Sequence, residues 1–184
     1  GGQRHGRVPF LHVTDVMALV APIGLGLGRI ANFINGELLG KVVALPGQPA
    51  PWWAVKFPQE LLTDHDAGSL MEPAAREARA AALDRIVAQV TQPGESSARG
   101  IHTMIEKIQH GSRDLAAQLE PLISARHPSQ LYQAFTDGVM LFGVVWIVAM
   151  RPRSPGVISA WWLIAYGLMR ITTEFVRLPD ADLS

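Results

Sequence analysis

The chain has 184 residues, nearly half of them hydrophobic, a size suited to one domain. Its 16 Lys and Arg balance 16 Asp and Glu, so no basic field points to nucleic acid and no nucleic-acid partner is expected. The absence of cysteine excludes disulfides, thiolate metal sites and a cysteine nucleophile, and it agrees with an oxidising compartment.

The opening Gly1-Gly2-Gln3-Arg4-His5-Gly6-Arg7 has the form of neither a signal peptide nor a native start, and Ser184 follows a polar turn. An internal piece of a longer membrane protein is expected. Arg4 to Arg7 is basic and acid-free. From about Asp15 to Phe33 the chain is apolar, and it crosses a bilayer only if its Arg29 end reaches the interface or a hydrated cavity. Pro22 inside it is tolerated where neighbours satisfy the freed carbonyl. Arg29, Asn32 and Gly36 fall at i, i+3 and i+7 on one helical face. Gly24 with Gly28, and Gly36 with Gly40, have the four-residue spacing that lets helices approach closely in lipid. An arginine and two asparagines at the mouth of a membrane helix are costly unless paired, which marks a site. The same residues also suit an interfacial anchor, with Arg29 snorkelling to headgroups and the amides capping the helix.

From Lys41 to Arg126 the composition changes. Pro46 to Pro51 reads as a loop, and Trp52-Trp53 suits a membrane interface. Glu72 to Val90 predicts an amphipathic helix with Leu83, Ile86, Val87 and Val90 on one face. Pro93 to Ser97 breaks it, Ile101, Ile105 and Ile108 predict a second helix, and Leu115, Leu119 and Leu122 a third. This block is expected to be a small helical head outside the membrane, a decoration without a chemical role.

Gln130 to Met150 is the next membrane candidate, with an uncharged core from Gly138. Arg151-Pro152-Arg153-Ser154-Pro155-Gly156 ends it as a basic loop, and a last span runs from Val157 to about Phe175. Both short flanking loops are basic, so the positive-inside rule puts them in the cytoplasm and the head block on the outer side. The expected fold is therefore all-α: a polytopic membrane helical bundle, about three spans, with a small extramembrane helical head insertion. Its divisions are 1–40, 41–126 and 127–184.

On the last span Arg170, Glu174 and Arg177 lie at i, i+4 and i+7. The three charges either neutralise one another structurally, or Glu174 holds one arginine while the guanidinium forks take an anion. Arg29 and Arg170 at one membrane depth would clamp a lipid phosphate. His127-Pro128-Ser129-Gln130-Leu131-Tyr132 begins a helix entering the bilayer, with Ser129 suited to an N-cap and Tyr132 to the aromatic belt. His127 is either a proton acceptor or a surface or capping residue. With Ser129 it makes no hydrolase triad, since the spacing is too local. The other histidines are scattered, so no metal and no cofactor are expected. The glycines around Arg29 follow no strand, which argues against a P-loop or a dinucleotide fold.

Three stretches, in order, carry a resemblance to one family. Gly28-Arg29-Ile30-Ala31-Asn32-Phe33-Ile34-Asn35-Gly36-Glu37, then Arg126 to Tyr132, then Tyr166 to Arg170 with Glu174 to Arg177, closely resemble motifs of bacterial prolipoprotein diacylglyceryl transferase. The likeness covers most of the chain outside roughly Pro46 to Ala125. It implies further membrane helices on both sides, including an upstream histidine-bearing segment that would supply thiol activation. It also implies transfer of the diacylglyceryl group of phosphatidylglycerol to the lipobox cysteine of a prolipoprotein signal peptide, releasing glycerol phosphate. The implied setting, among membrane lipids, is the bacterial inner membrane, multi-pass, with the active site toward the periplasm.

By the same resemblance Arg29, Arg170 and Glu174 are the catalytic candidates. Arg29, Asn32, Asn35, Glu37, Gly40, Tyr166 and Arg177 are the substrate-binding ones, and His127, Ser129, Gln130 and Tyr132 come from the second motif. Asn32 and Tyr166 are expected to bind headgroup or glyceryl oxygens, and Glu174 to orient an arginine. The family often has an acid where this chain has Gln133, so no essential carboxylate is expected there. The alternative is a lipid or anion transporter using the same arginine-lined face, for which internal repeats would speak; none is visible. A non-catalytic scaffold leaves that face unexplained.

Overall fold

The computed structural model describes residues 10–63 and 66–174. Helix α1, Phe10–Asn35, extends the expected apolar run at both ends and keeps Pro22 inside. It stops at Gly36, which takes φ 70°. The Gly36 N–H donates to the Phe33 carbonyl, and the Glu37 N–H donates to that of Asn32. These two bonds satisfy carbonyls that the helix end leaves open, and glycine enters the left-handed region with no Cβ penalty.

The chain divides into two compact units, Leu39–Pro128 and the segments that flank it. In the flanking unit a nearly continuous helix follows α1 in space. It comprises α5 (Ser129–Gln133), a π-helical stretch over Ala134–Met140, and α6 (Leu141–Ala149). Helix α7, Val157–Glu174, completes the unit. Among the described residues two runs, Phe10–Asn35 and Ser129–Ala149, are long and apolar enough to cross a membrane, and the apolar Val157–Thr173 is shorter. Val20, Ile23 and Leu27 on α1 and Leu163, Ile164 and Leu168 on α7 are all exposed. That surface suits lipid or further protein rather than water.

Among the described residues, close helix approach falls on Gly26 rather than on Gly24 and Gly28, the pair picked out by the four-residue spacing. A Cβ on Gly26 would lie 3.0 Å from the Gly138 Cα, while Gly24 and Gly28 have open space around them. The reason is helical phase. Pro22 and Gly26 share the buried face of α1 that meets the π-helical stretch, and Gly24 and Gly28 lie off it. At the other end of the unit Asp15 ties α1 to α7. Its carboxylate accepts from the backbone N–H of Gly156 (2.7 Å) and of Ser159 (2.9 Å), and from the Ser159 hydroxyl. A carboxylate on these open donors suits a helix N-terminus, and it sets α1 and α7 in parallel register.

The unit Leu39–Pro128 holds the three predicted helices: α2 (Pro73–Ala88), α3 (Ser97–Gln109) and α4 (Arg113–Leu119), the last tightening into a 3₁₀ turn at Glu120–Leu122. Ile86, Val87, Met104, Leu115, Leu119 and Ile123 form its core. The all-α expectation needs one correction, because this unit also carries a three-stranded antiparallel sheet. Strands β1 (Val42–Ala44) and β2 (Val55–Lys56) flank β3 (Ala125–Arg126), with Val42 and Val55 both opposite Arg126. Strands of two or three residues are too short for a period-two pattern to register in sequence.

Sheet and helices are joined through a buried carboxylate. Glu60, in the 3₁₀ turn Pro58–Leu62, is fully buried. It accepts from the Ser124 N–H (2.9 Å), the Ser124 hydroxyl and Arg126 Nε (3.0 Å), and pairs with Arg79 Nη2 at 3.5 Å. Arg79 also donates Nε to the Leu122 carbonyl (2.6 Å) and its fork to Asp66 (2.7 and 2.8 Å), while Arg126 Nη1 donates to the Gly40 carbonyl at 3.2 Å. Burial alone would raise the Asp66 carboxyl, but the hydrogen bonds and charge of Arg79 outweigh it and hold Asp66 below the ordinary carboxylate value. Two cations meet two anions, which is what permits charge at this depth.

Candidate functional site

The flanking unit buries its own charges, and it does so sparsely. Arg29 Nε lies 3.7 Å from Asp137 Oδ2; the Arg29 side chain is 17% exposed and that of Asp137 not at all. Asp137 also lies within electrostatic range of Arg170. Register accounts for this convergence. With Asp15 and Ser159 side by side, a rise of about 1.5 Å per residue carries Arg29 about 21 Å along α1 and Arg170 about 16 Å along α7. The two arginines thus reach similar depth, and the acid between them comes from the middle helix.

Asp137 was missed in the sequence. The available signal was a carboxylate just before the uncharged core of Gln130 to Met150, an ionisable group at membrane depth that needs a partner. The expected acid, Glu174, ends α7, but its side chain lies outside the described residues, as does the whole of Arg177.

The pair is loose. At 3.7 Å Arg29 meets Asp137 as an ion pair without a hydrogen bond, Asp137 Oδ1 accepts from Thr136 Oγ1 at 3.3 Å, and Oδ2 is buried with no hydrogen-bond donor. Gln130 and Gln133 precede Asp137 at i−7 and i−4 on the same helical face, both fully or almost fully buried. Gln130 Nε2 donates to the Glu37 carbonyl (2.6 Å) and the Ser129 hydroxyl to that of Leu38 (3.3 Å), so the start of α5 grips the chain leaving α1. Gln130 Oε1 and Gln133 Nε2 are buried and have no hydrogen-bond partner among the described residues.

Asn32 is half-buried and its carbonyl closes the α1 cap, while Asn35 Nδ2 reaches Glu37 Oε1 at 3.5 Å on the exposed side. Tyr132 is half-buried on α5, and Tyr166 stacks on Trp162 one turn earlier in α7, with ring centroids 5.0 Å apart.

Two predicted residues belong to the other unit. The His127 ring packs on Trp53 (centroids 4.8 Å), and the His127 backbone N–H donates to the Lys41 carbonyl at 3.1 Å. A Cβ on Gly40 would run into the His127 carbonyl, so close backbone approach by itself calls for glycine there. Among the described residues no three His, Asp or Glu side chains converge as metal ligands. Two guanidinium groups with planar N–H donors, Arg29 and Arg170, suit the flanking unit to holding an anion.

A family model described as prolipoprotein diacylglyceryl transferase matches residues 2–184. The phosphatidylglycerol--prolipoprotein diacylglyceryl transferase of Bdellovibrio bacteriovorus is 34% identical over 183 residues, which cover 94% of this chain and 51% of that protein. Proteins of the same name from Chromobacterium violaceum and Paraburkholderia phymatum are 36% and 39% identical. They match over 99% and 93% of this chain and 48% and 44% of their own lengths. The chain spans about half the length of the curated relatives it matches. On these matches, and with mostly helical units bearing two membrane-length apolar runs, the chain belongs to the prolipoprotein diacylglyceryl transferase family.

Proposed function

We propose that this chain carries the phosphate-binding part of a membrane enzyme that lipidates prolipoproteins, with phosphatidylglycerol as donor. The observation behind the reading is the pair Arg29 and Arg170 around the buried Asp137. The acceptor is the lipobox cysteine of a prolipoprotein signal peptide. Its thiolate sulfur attacks the glyceryl carbon that bears the phosphate, a new S–C bond forms, and the C–O bond to phosphate breaks. The electron pair stays on the phosphate oxygen, and glycerol phosphate leaves. The thiol proton passes to a general base, which the family likeness assigns to the upstream histidine-bearing segment.

In this reading Arg29 and Arg170 neutralise charge on the departing phosphate, where each such donor is worth roughly 3 kcal/mol in a site that excludes water. Asp137 holds Arg29 without occupying its fork. Asn32, Asn35, Glu37 and Tyr166 line or shape the headgroup site, and Glu174 and Arg177 belong with them by the family likeness. The basic, acid-free stretches Arg4 to Arg7 and Arg151 to Arg153 favour an inner-membrane protein with this site toward the periplasm and the block 41–126 outside the membrane.

The test is release of glycerol phosphate from labelled phosphatidylglycerol by the full-length protein in vesicles, with a lipobox peptide. Release is expected with the cysteine peptide and absent with its serine counterpart. Folded, lipid-bound protein that releases nothing would overturn the transferase reading and favour transport of a lipid or anion.

A further inference from the structure

The polar stripe on the middle helix has more hydrogen-bonding capacity than its neighbours use. Gln130 Oε1, Gln133 Nε2 and, apart from its ion pair with Arg29, Asp137 Oδ2 are all buried and find no hydrogen-bond partner among the described residues, on residues 0%, 1% and 0% exposed. Leaving one such atom unmet typically costs about 1–3 kcal/mol, so three on one face mark a place where something else binds. The orientation of Gln130 is settled by its amide N–H, which donates to the Glu37 carbonyl and leaves the oxygen as the open end. The stripe therefore offers acceptors at 130 and 137 and an amide at 133 between them. The stretch from Ala134 to Met140 is π-helical, a widening of the turn that recurs at binding sites.

We propose that Gln130 and Gln133 form a subsite for the vicinal hydroxyls of a glycerol group whose phosphate lies on Arg29 and Arg170. The inference rests on the proposed function for the phosphate and adds what recognises the rest of the headgroup. Hydrogen-bond chemistry selects the ligand class. A hydroxyl both donates and accepts, so two neighbouring hydroxyls satisfy Gln130 Oε1 and Gln133 Nε2 together. An ammonium headgroup has donors only, and it would leave the Gln133 amide N–H unmet. A plain alkyl headgroup would leave both unmet, and sites built to bind a hydroxyl reject analogues that lack it strongly. The glycerol can come from the lipid headgroup or from released glycerol phosphate.

Binding, rather than turnover, is the readout, so an absence of transfer would count against the proposed function and leave this result standing. The full-length protein in lipid nanodiscs is offered phosphatidylglycerol against phosphatidylpropanol, and separately glycerol phosphate against propyl phosphate. Wild type is expected to prefer the diol at least tenfold in one of the two pairs, and Gln133→Leu to bring the ratio close to one while still binding the propyl compound. Gln133→Met serves as the second variant should the leucine form fail to fold. Lost preference in the lipid pair identifies the headgroup as the ligand, and in the soluble pair the released product. A wild type without preference in either pair, or a variant that keeps it, overturns the subsite.

Discussion

The two units bury charge in opposite ways. In Leu39–Pro128 the Glu60 carboxylate is met by Ser124, Arg126 and Arg79, and Arg79 closes on Asp66 with both arms of its fork. In the flanking unit Asp137 sits as deep, yet its partner stands 3.7 Å away and one oxygen has no donor. A saturated network is a structural joint, since no atom in it is left to greet a ligand. An unsaturated one leaves polar atoms whose cost a ligand recovers by meeting them, which is the basis of the phosphate and glycerol sites proposed above.

The sharpest way to break this contrast is at the arginines. Arg29→Ala and Arg170→Ala should each lower peptide-dependent glycerol phosphate release by about a hundredfold to a thousandfold, with membrane insertion intact. Near-normal release by either variant would remove that arginine from the site. The counterpart in the other unit is Glu60→Ala, which strands Arg126 in a buried position and should destabilise Leu39–Pro128 by about 3–5 kcal/mol. Hydrogen exchange across α2 to α4 would report it, and unchanged protection would mean the network is not a joint.

Asp137→Asn separates the two roles more finely. It keeps the shape and removes the charge beside Arg29, so it should weaken phosphatidylglycerol binding or transfer by about tenfold while thermal stability moves little. A large loss of stability with unchanged binding would place Asp137 with the structural joints. The smallest expected effect is in acid. Asp66 lies below the ordinary carboxylate value in the folded protein, so its contribution to stability is present above about pH 4 and is lost as pH falls through its lower folded value. Asp66→Asn should flatten that part of the acid-unfolding curve of Leu39–Pro128, measured by near-ultraviolet circular dichroism. An identical curve would show that the Arg79 fork is not linked to folding.

Much of this was legible before any coordinates. The trio Leu83, Ile86 and Val87, then Ile101 and Ile108, then Leu115 and Leu119, announced three helices by periodicity, and those faces meet in one core. Arg29 and Arg170 were legible as rare cations on apolar helices, which is costly enough to stand out. Asp137 had the same kind of signal but lay at the edge of the run, and Glu174 offered a nearer acid in sequence. The sheet of Val42–Ala44, Val55–Lys56 and Ala125–Arg126 left no periodic trace, and its pairing spans the whole block. Glu60 and Asp15 carry no local signal of burial, because nothing near them in sequence names the distant donors that bury them.

The sequence by itself determined which segments are helical and apolar, and which three motifs place the chain in its family. These depend on neighbours within a turn or two, whose spacing any helix preserves. Only the tertiary structure decided which glycines touch, with Gly26 on Gly138 rather than Gly24 or Gly28 on anything, and which acid meets Arg29. Those choices depend on the phase and register of one helix against another. That register is set by Asp15 on the first turn of α7 and by Gln130 on the Glu37 carbonyl, contacts between residues far apart in the chain.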